Sequence, residues 1–131
     1  MTFTDLLGIP FKIHGRSKEG LDCYGLLIEV AKRLGVTFPD AFYETVTRES
    51  RNNTYNFLIE KLPIERIDKL EKYCVIFMFV GGKCSHVGVY LGEGKVLHAT
   101  EDMGVCIQKL QHFKCRIQTL YRIKGIKNGT N

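Results

Sequence analysis

The fold is decided by residues 84–100, which read CSHVGVYLGEGKVLHAT. Two runs rich in β-branched and apolar residues, 86–91 and 95–100, flank a Gly-Glu-Gly loop, and this pattern predicts a β-hairpin. Upstream, residues 75–80 read VIFMFV, an apolar run with the length and composition of a buried strand. Together these segments predict an antiparallel sheet in the second half of the chain.

The strand register of this hairpin brings two histidines together. A three-residue loop sets Leu91 opposite Lys95, which places Gly88 opposite His98. His86 and His98 then have the same parity and project from one face of the sheet as diagonal neighbours. Because Gly88 has no side chain, it leaves room for a close approach.

The first half of the chain predicts a helix from Cys23 to Leu34. Asp22 is a natural N-cap, and Gly35 is suited to the end of the helix. Apolar residues recur at helical spacing and form the expected buried stripe: Leu26, Leu27, Val30, Ala31 and Leu34. A helical half followed by antiparallel strands indicates an α+β fold.

Two further segments complete the predicted fold. Residues 54–62 are expected to form a short helix that Pro63 ends. Residues 104–123 are expected to contain two strands, the second of which ends in residues 120–123. With 131 residues, the chain is predicted to form one domain, residues 1–131.

Composition narrows the classes of protein. Hydrophobic residues make up 44% and charged residues 25%, which is typical of a globular protein rather than a disordered one. No apolar run is long enough to span a membrane, and the N-terminus lacks the pattern of a signal peptide. The five cysteines form an odd set without a CxxC pair, which favours reduced thiols over a disulfide framework. We expect synthesis and retention in the cytosol, or export by a route other than general secretion.

The net charge is +5, and basic residues become denser toward the C-terminus. A nucleic-acid surface or attraction to an anionic cell envelope would fit this charge. A solvated basic face is favoured, because no aromatic residues interleave with the lysines and arginines as in a stacking platform. We therefore predict no nucleic-acid partner.

Cys23 is the first candidate for chemistry. At the first turn of a helix, the backbone N–H groups and the positive end of the helix dipole favour thiolate, the nucleophilic form of cysteine. Gly20 and Gly25 flank it and would let a substrate backbone come close. By residue type alone, a buried and inert cysteine is the more common outcome. The hypothesis that Cys23 is a nucleophile therefore depends on a base close to it.

The pair of histidines admits two explanations. In one, four side chains ligate zinc, although no pair among them shows the ligand spacing usual for zinc: Cys84, His86, His98 and Cys106. In the other, His86 takes the proton of the Cys23 thiol while His98 holds its second ring nitrogen, the arrangement of cysteine hydrolases. The second explanation is favoured, and we predict neither a metal nor a cofactor.

Three blocks of sequence resemble the NlpC family of cell-wall cysteine peptidases. They are residues 8–11 (GIPF) with Gly15 and residues 20–26 (GLDCYGL), residues 84–92 (CSHVGVYLG), and residues 96–99 (VLHA). The order Cys, His, His agrees with the family, as does the gap of twelve residues between the histidines. The resemblance implies a papain-like α+β fold, in which N-terminal helices include a nucleophile helix packed on a central antiparallel β-sheet.

The same resemblance implies hydrolysis of an amide in the peptide stem of peptidoglycan, often the bond between D-glutamate and the diamino acid. Cys23 would be the nucleophile, His86 the base and His98 the residue that orients His86. The resemblance is closest to the stand-alone branch of phage and prophage tails, because the chain begins almost at the first motif and residues 105–122 are similar to that branch. This branch implies a place in the virion tail, with other tail-tip proteins as partners.

Substrate contacts are predicted for four residues beside these motifs: Phe11, His14, Asp22 and Ser85. The family usually carries a tyrosine where Phe11 stands, and its hydroxyl reaches the active site. A Gly-Gly pair of the family is His14-Gly15 here, and a Gly-Asp pair before the first core strand is Tyr73-Cys74.

The missing hydroxyl leaves a second function open, that of a structural tail-tip or assembly component with little catalysis. Amidase chemistry like that of the related CHAP peptidases is less favoured, because His98 stands where those enzymes more often have an acidic or amide residue. Lipid-acyltransferase relatives of the fold place His before Cys, the reverse of the order in this chain.

Overall fold

The structure is a computed structural model that describes residues 2–40, 60–80, 83–113 and 117–126 of the chain. At residues 79–80, 83–85 and 117–118 it describes the backbone alone. Within the described ranges, one α-helix and eight β-strands build the frame of the site.

The helix, α1, spans Cys23–Arg33 and follows a small hairpin of β1 (Arg16–Ser17) and β2 (Gly20–Leu21). Six strands form the main sheet: β3 (Ile64–Ile67), β4 (Val75–Val80), β5 (Lys83–Gly92), β6 (Lys95–Thr100), β7 (Gly104–Lys109) and β8 (Ile117–Ile123). Their order across the sheet is β3-β8-β4-β5-β6-β7, and the strand pairs are antiparallel. Because α1 packs against β5 and β6, the predicted α+β fold with the cysteine helix on an antiparallel sheet is confirmed.

α1 begins where the sequence predicts. The Asp22 carboxylate accepts a hydrogen bond from the backbone N–H of Gly25 at 2.7 Å, which satisfies one of the donors that a helix start leaves open. At the other end Leu34 caps the helix, and Gly35 has a φ of 87°, the left-handed conformation common after a helix end. The predicted helix, residues 23–34, exceeds the observed one by its last residue.

α1 has 11 residues. A helix needs about 20 residues to cross a bilayer, and no helix in the described part of the chain is both long and apolar enough to do so.

The register predicted between β5 and β6 holds over the paired strands, through Val89–Leu97 and Tyr90–Val96. The end of the hairpin differs, because Gly92 rather than Leu91 pairs with Lys95. A bulge in β5 leaves a two-residue loop, Glu93 and Gly94, whose φ angles are 54° and 76°. Positive φ at both loop residues matches the right-handed twist of the strands, which explains why the shorter loop is formed.

Apolar side chains pack on both faces of the main sheet. The larger cluster joins α1 to one face and includes Leu27, Val87 and Leu97. A smaller cluster covers the other face: Ile76, Met78, Val96 and Phe113, with Tyr90, Leu110 and Leu120 packed against it. Since side chains alternate along a strand, His98 shares the face of Val96.

Predictions for the other segments had different outcomes. The two strands predicted within residues 104–123 are β7 and β8, so that prediction is confirmed. The short helix predicted for residues 54–62 lies outside the described residues except for its last three. β3 has no counterpart in the sequence prediction, because it is a short edge strand whose middle residues, Glu65 and Arg66, are exposed. The single domain of residues 1–131 stays a prediction.

Candidate active site

Cys23 is the first residue of α1, as predicted. The residue is 6% exposed and belongs to the larger apolar cluster. The positive end of the helix dipole favours thiolate at this position. Because α1 packs against β5 and β6, the nucleophile helix lies on the two strands that carry His86 and His98.

His86 and His98 are in contact, as the hairpin register predicts. Nε2 of His86 lies 2.9 Å from Nδ1 of His98, and the ring centroids are 5.1 Å apart with an interplanar angle of 75°. A Cβ at Gly88, between them on the same face, would lie 2.9 Å from Cε of Met78 and 3.0 Å from Cγ1 of Val96. The space at Gly88 is therefore occupied by these two apolar side chains.

His98 is almost fully buried, with 2% of its surface exposed. Burial is the main cause that lowers the pKa of its imidazole; a hydrogen bond with Gln108 opposes this shift, and the nearby His112 adds to it. The ring also meets Phe113 edge to face, with centroids 4.7 Å apart. A neutral imidazole donates through one ring nitrogen and accepts through the other, so His98 can hold two partners at once.

Gln108 extends this chain of polar contacts, although no sequence motif points to it. Its Oε1 lies 2.6 Å from Nε2 of His98, and Sγ of Cys106 lies 3.6 Å from the same nitrogen. Both side chains reach His98 because β7 pairs with β6 through His98–Cys106 and Val96–Gln108. The signal that could have revealed them is the three-residue turn, residues 101–103, which sets this register.

A cavity of about 310 Å³ opens beside the two imidazoles. We call it the histidine cavity, and it is lined by Met78, His86, His98, Thr100, Asp102, Met103, Gln108, His112 and Phe113. Its wall combines the candidate base with a few polar groups and apolar side chains, the composition typical of a ligand site.

Asp22 organises the start of α1 from a buried position, with 3% of its surface exposed. In addition to the N–H of Gly25, Oδ1 accepts a hydrogen bond from Nη1 of Arg16 at 2.9 Å. Oδ2 accepts one from the backbone N–H of His14, also at 2.9 Å. Because both carboxylate oxygens bind groups of the chain itself, the structure gives Asp22 a capping role, and its contact with substrate stays a prediction.

The other predicted substrate contacts are placed as follows. Phe11 is half-buried, forms a β-bridge with Leu21 and packs against the larger cluster. His14 is half-buried and has a φ of 63°, in the left-handed region that few residues other than glycine adopt without strain. The side chain of Ser85 lies outside the described residues.

The glycines that flank Cys23 are packed against the chain itself. A Cβ at Gly25 would lie 2.2 Å from the carbonyl oxygen of Gly15, and a Cβ at Gly20 would lie 2.4 Å from Cβ of Lys12. The prediction that these glycines open a path for a substrate backbone is therefore wrong. They allow the segment before β1 to pack closely against the helix start.

Among the residues that the structure describes, no three or more His, Cys, Asp or Glu side chains are grouped so as to hold a metal ion. The side chain of Cys84, one of the four residues of the zinc explanation, lies outside them.

A cysteine at a helix start, packed on an antiparallel sheet that carries a hydrogen-bonded histidine pair, defines the class of papain-like cysteine peptidase domains. Comparison with known sequences then identifies the family. Residues 8–122 match the NlpC/P60 family, and the chain belongs to it. The matched range contains both halves of the candidate site.

Individual relatives agree with this assignment. The chain is 24% identical over 109 residues to the murein DD-endopeptidase MepS/murein LD-carboxypeptidase of Escherichia coli strain K12, covering 82% of this chain and 51% of the relative. It thus spans about half the length of the curated relatives it matches.

Solved structures show the same fold. The NlpC/p60 domain of the peptidoglycan hydrolase SagA superposes with a TM-score of 0.60 at 22% identity, covering 91% of each chain. The peptidoglycan hydrolase RipB of Mycobacterium tuberculosis superposes with a TM-score of 0.63 at 22% identity, covering 92% of this chain and 60% of RipB. The papain-like fold implied by the sequence resemblance is confirmed.

Proposed function

We propose that the chain is a cysteine endopeptidase that hydrolyses the stem peptides of peptidoglycan, with Cys23 as nucleophile, His86 as base and His98 as the residue that orients the base. The observation that carries the proposal is the 2.9 Å contact between the two imidazoles, on strands against which the nucleophile helix packs. The substrate class is supported by the relatives, which are named as a murein endopeptidase and as peptidoglycan hydrolases.

The contact between the rings supports Nδ1 of His86 as the nitrogen that serves the thiol. Because Nε2 is engaged with His98, we assign the proton exchange with the thiol to Nδ1. His98 is itself held by Gln108 and by the edge of Phe113. A fixed partner of this kind keeps the base in one orientation, so that less freedom is lost when the reaction begins.

Catalysis would proceed through an acyl-enzyme. The Cys23 thiol transfers its proton to Nδ1 of His86, and the sulfur attacks the carbonyl carbon of the scissile amide. The backbone N–H of Cys23 donates to the oxyanion that develops. The C–N bond then breaks as the leaving amine takes the proton from His86. Water attacks the carbonyl carbon of the thioester and gives a proton to His86. The C–S bond then breaks, the acid leaves, and His86 returns the proton to the sulfur of Cys23.

The proposal extends to the bond and the place of action. We assign the cut to the amide between D-glutamate and the diamino acid, on the resemblance of the three sequence motifs to the NlpC family. We assign the protein to a phage or prophage tail, on the similarity of residues 105–122 to that branch. There it would be made in the cytosol, assemble with other tail-tip proteins and open the wall locally when the genome enters the cell.

Digestion of purified peptidoglycan tests the proposed reaction. Mass spectrometry should detect fragments that end at D-glutamate after incubation with the wild-type protein, and none after incubation with Cys23→Ala. Cys74→Ala is the matched control, because Cys74 is also buried and burial raises the pKa of its thiol. We expect the control to release fragments like the wild type.

Two results would contradict the proposal. One is release by Cys23→Ala at the wild-type rate. The other is no release by the wild-type protein under conditions in which a related hydrolase cleaves the same peptidoglycan. Fragments that depend on Cys23 but end at another residue would contradict the assigned bond alone.

A structural role in the tail tip, with little catalysis, is the second candidate, and Phe11 is the observation that favours it. The ring lies at a β-bridge to Leu21, two residues before Cys23, and carries no hydroxyl. If that hydroxyl holds the oxyanion in relatives, its absence slows turnover by about 10²- to 10³-fold. Assembly into tail tips by Cys23→Ala as well as by the wild type, without fragment release by either, would favour this candidate.

A further inference from the structure

Gln108 is placed to act on the catalytic pair from a strand that carries none of the predicted site residues. It lies on β7, and β7 pairs with β6 so that Gln108 is opposite Val96 and one diagonal step from His98. Its Oε1 lies 2.6 Å from Nε2 of His98, while Nδ1 of His98 lies 2.9 Å from Nε2 of His86. Three side chains thus form one continuous hydrogen-bonded row.

The amide oxygen of Gln108 determines which group donates and which accepts in each hydrogen bond of this row. An amide oxygen only accepts hydrogen bonds, so Nε2 of His98 must carry a proton and donate it to Gln108. Burial keeps His98 neutral, which leaves its Nδ1 as an acceptor. His86 must then donate from Nε2. The remaining nitrogen of His86, Nδ1, is left with a lone pair, as a base requires.

Cys106 is the second neighbour of Nε2 of His98, and it favours the reverse donor and acceptor roles along the row. Its Sγ lies 3.6 Å from Nε2 of His98, and burial raises the pKa of the thiol, so that it stays protonated. A thiol is a weak donor. If Gln108 were absent, the thiol could donate to a bare Nε2, and His98 would carry its proton on Nδ1 instead. Nε2 of His86 would then have to accept a hydrogen bond from Nδ1 of His98. A neutral His86 would carry its proton on Nδ1, the nitrogen that should act as the base.

Titratable groups surround His98 on several elements. They are His86 on β5, Cys106 on β7, Asp102 in the turn after β6, and His112 in the short helix after β7. Asp102 and His112 belong to the wall of the histidine cavity, and no hydrogen bond to His98 is described for either within the described ranges. Gln108 and Cys106 are therefore the two groups that determine whether Nε2 of His98 donates or accepts.

We propose that Gln108 is a positioning residue that fixes the tautomer of His86 through His98, and that it prevails over Cys106 in setting this tautomer. The tautomer is inferred from the hydrogen-bonded row and the burial of His98. Its effect on turnover rests on the proposed function, so the two are tested by separate measurements.

NMR of the ring nitrogens tests the tautomer without any substrate. Two-bond correlations between imidazole carbon-bound protons and ¹⁵N should show the wild-type protein with Nε2 protonated and Nδ1 bare in both His86 and His98. Gln108→Met should shift both rings toward the other tautomer, and the double variant Gln108→Met/Cys106→Ala should shift them less. A wild-type spectrum with Nδ1 of His98 protonated would overturn the proposal, whether or not any variant folds.

Alkylation and turnover test the consequence. With Gln108→Met, the rate of Cys23 alkylation by iodoacetamide near neutral pH and kcat on peptidoglycan fragments should both fall by about tenfold, with KM unchanged. Gln108→Glu keeps an acceptor for Nε2 of His98, so both rates should fall less than in Gln108→Met, although the added charge raises the pKa of His98. Lys109→Met, the next residue on β7 and exposed, is the matched control and should change neither.

The outcomes separate the two proposals. Normal tautomers and normal alkylation without peptidoglycan cleavage would refute the proposed substrate and leave the role of Gln108 intact. A rise in KM at constant kcat in Gln108→Met would overturn the positioning role, because it would mean that Gln108 contacts substrate from the wall of the histidine cavity. Wild-type kcat in Gln108→Met would overturn it as well.

Discussion

The two halves of the candidate site are built in different ways. The base half, His86, His98 and Gln108, lies on the neighbouring strands β5, β6 and β7, and its contacts run between side chains on one face of the sheet. The hydrogen bonds between these paired strands set the position of each side chain, because strand register decides which side chains are neighbours. Regular backbone therefore holds this half in place.

The nucleophile half depends on single hydrogen bonds around the start of α1, together with two that join the N-terminal segment to β7: Gly8 N–H donates to Val105 O at 2.8 Å, and Val105 N–H donates to Ile9 O at 2.9 Å. The segment before β1 runs past the start of α1, where Leu21 N–H donates to Pro10 O at 3.0 Å and Lys12 N–H donates to Leu21 O at 3.2 Å. Asp22 ties the same region to the helix through Arg16. Single hydrogen bonds and one buried carboxylate hold this half in place, whereas paired strands hold the base half.

This difference predicts different responses to substitution. In the base half, the loss of one side-chain hydrogen bond leaves the strands paired, so chemistry should change while stability is kept. In the nucleophile half, the loss of one contact loosens a segment that single hydrogen bonds hold rather than a strand pair, so stability should change together with chemistry. Substitutions in the two halves should therefore separate activity from stability.

The largest expected effect is that of Asp22→Ala. The variant loses a helix cap, which contributes about 1 kcal/mol. It also takes one carboxylate partner from Arg16, whose side chain is 19% exposed and which keeps its bond to Asp40. This loss should cost about 2 kcal/mol, less than the ~3 kcal/mol or more of a fully buried pair. We expect the free energy of unfolding in urea to fall by about 3 kcal/mol.

Asp22→Asn is the matched control, because its side-chain oxygen can still cap α1 while the charge is gone. It should lose less than half as much stability as Asp22→Ala. Equal stability of the wild type and Asp22→Ala would show that the segment before β1 is held by its backbone bonds, and the contrast between the two halves would fail.

Phe11→Tyr should give the next largest effect, and on activity alone. If the new hydroxyl reaches the oxyanion, turnover of peptidoglycan fragments should rise by about 10- to 100-fold, less than the ~10²- to 10³-fold of a native donor, because the surrounding residues do not hold the new hydroxyl in place. Phe11→Leu is the control without a hydroxyl and should show no gain. No rise in Phe11→Tyr would mean that the ring does not face the reacting carbonyl, and the structural candidate for function would lose its main support.

How much the sequence predicts also differs between the halves. The pairing of β5 with β6 is predictable, because alternating side chains and a short loop leave few registers that bury the apolar residues. Gln108 is not, since a polar residue on an edge strand usually faces solvent. Arg16 is not either, because its bond to Asp22 joins a short hairpin to a helix start and leaves no periodic signal in the sequence.

Substitutions at His14 test how firmly the backbone of the nucleophile half is held, with a smaller expected change in stability. Its φ of 63° is strained for a residue with a Cβ. His14→Gly and His14→Ala both remove the imidazole, and only the first removes the strain. We expect His14→Gly to be more stable than His14→Ala by about 1 kcal/mol in urea unfolding. Equal stability of the two variants would mean that the segment relaxes to another conformation when the side chain is shortened.

The smallest expected effect is a pH dependence of stability in the base half. Burial lowers the pKa of His98 from its ordinary value of 6.5, so the unfolded chain binds a proton at a higher pH than the folded protein does. The stability contributed by neutral His98 is therefore complete above the unfolded pKa and is lost as the pH falls from there through the folded pKa. Urea midpoints between about pH 7.5 and about pH 5.5 should fall more steeply for the wild type than for His98→Gln, which has no proton to gain at this position. Equal slopes would mean that His98 titrates alike in both states, and that burial does not hold it neutral.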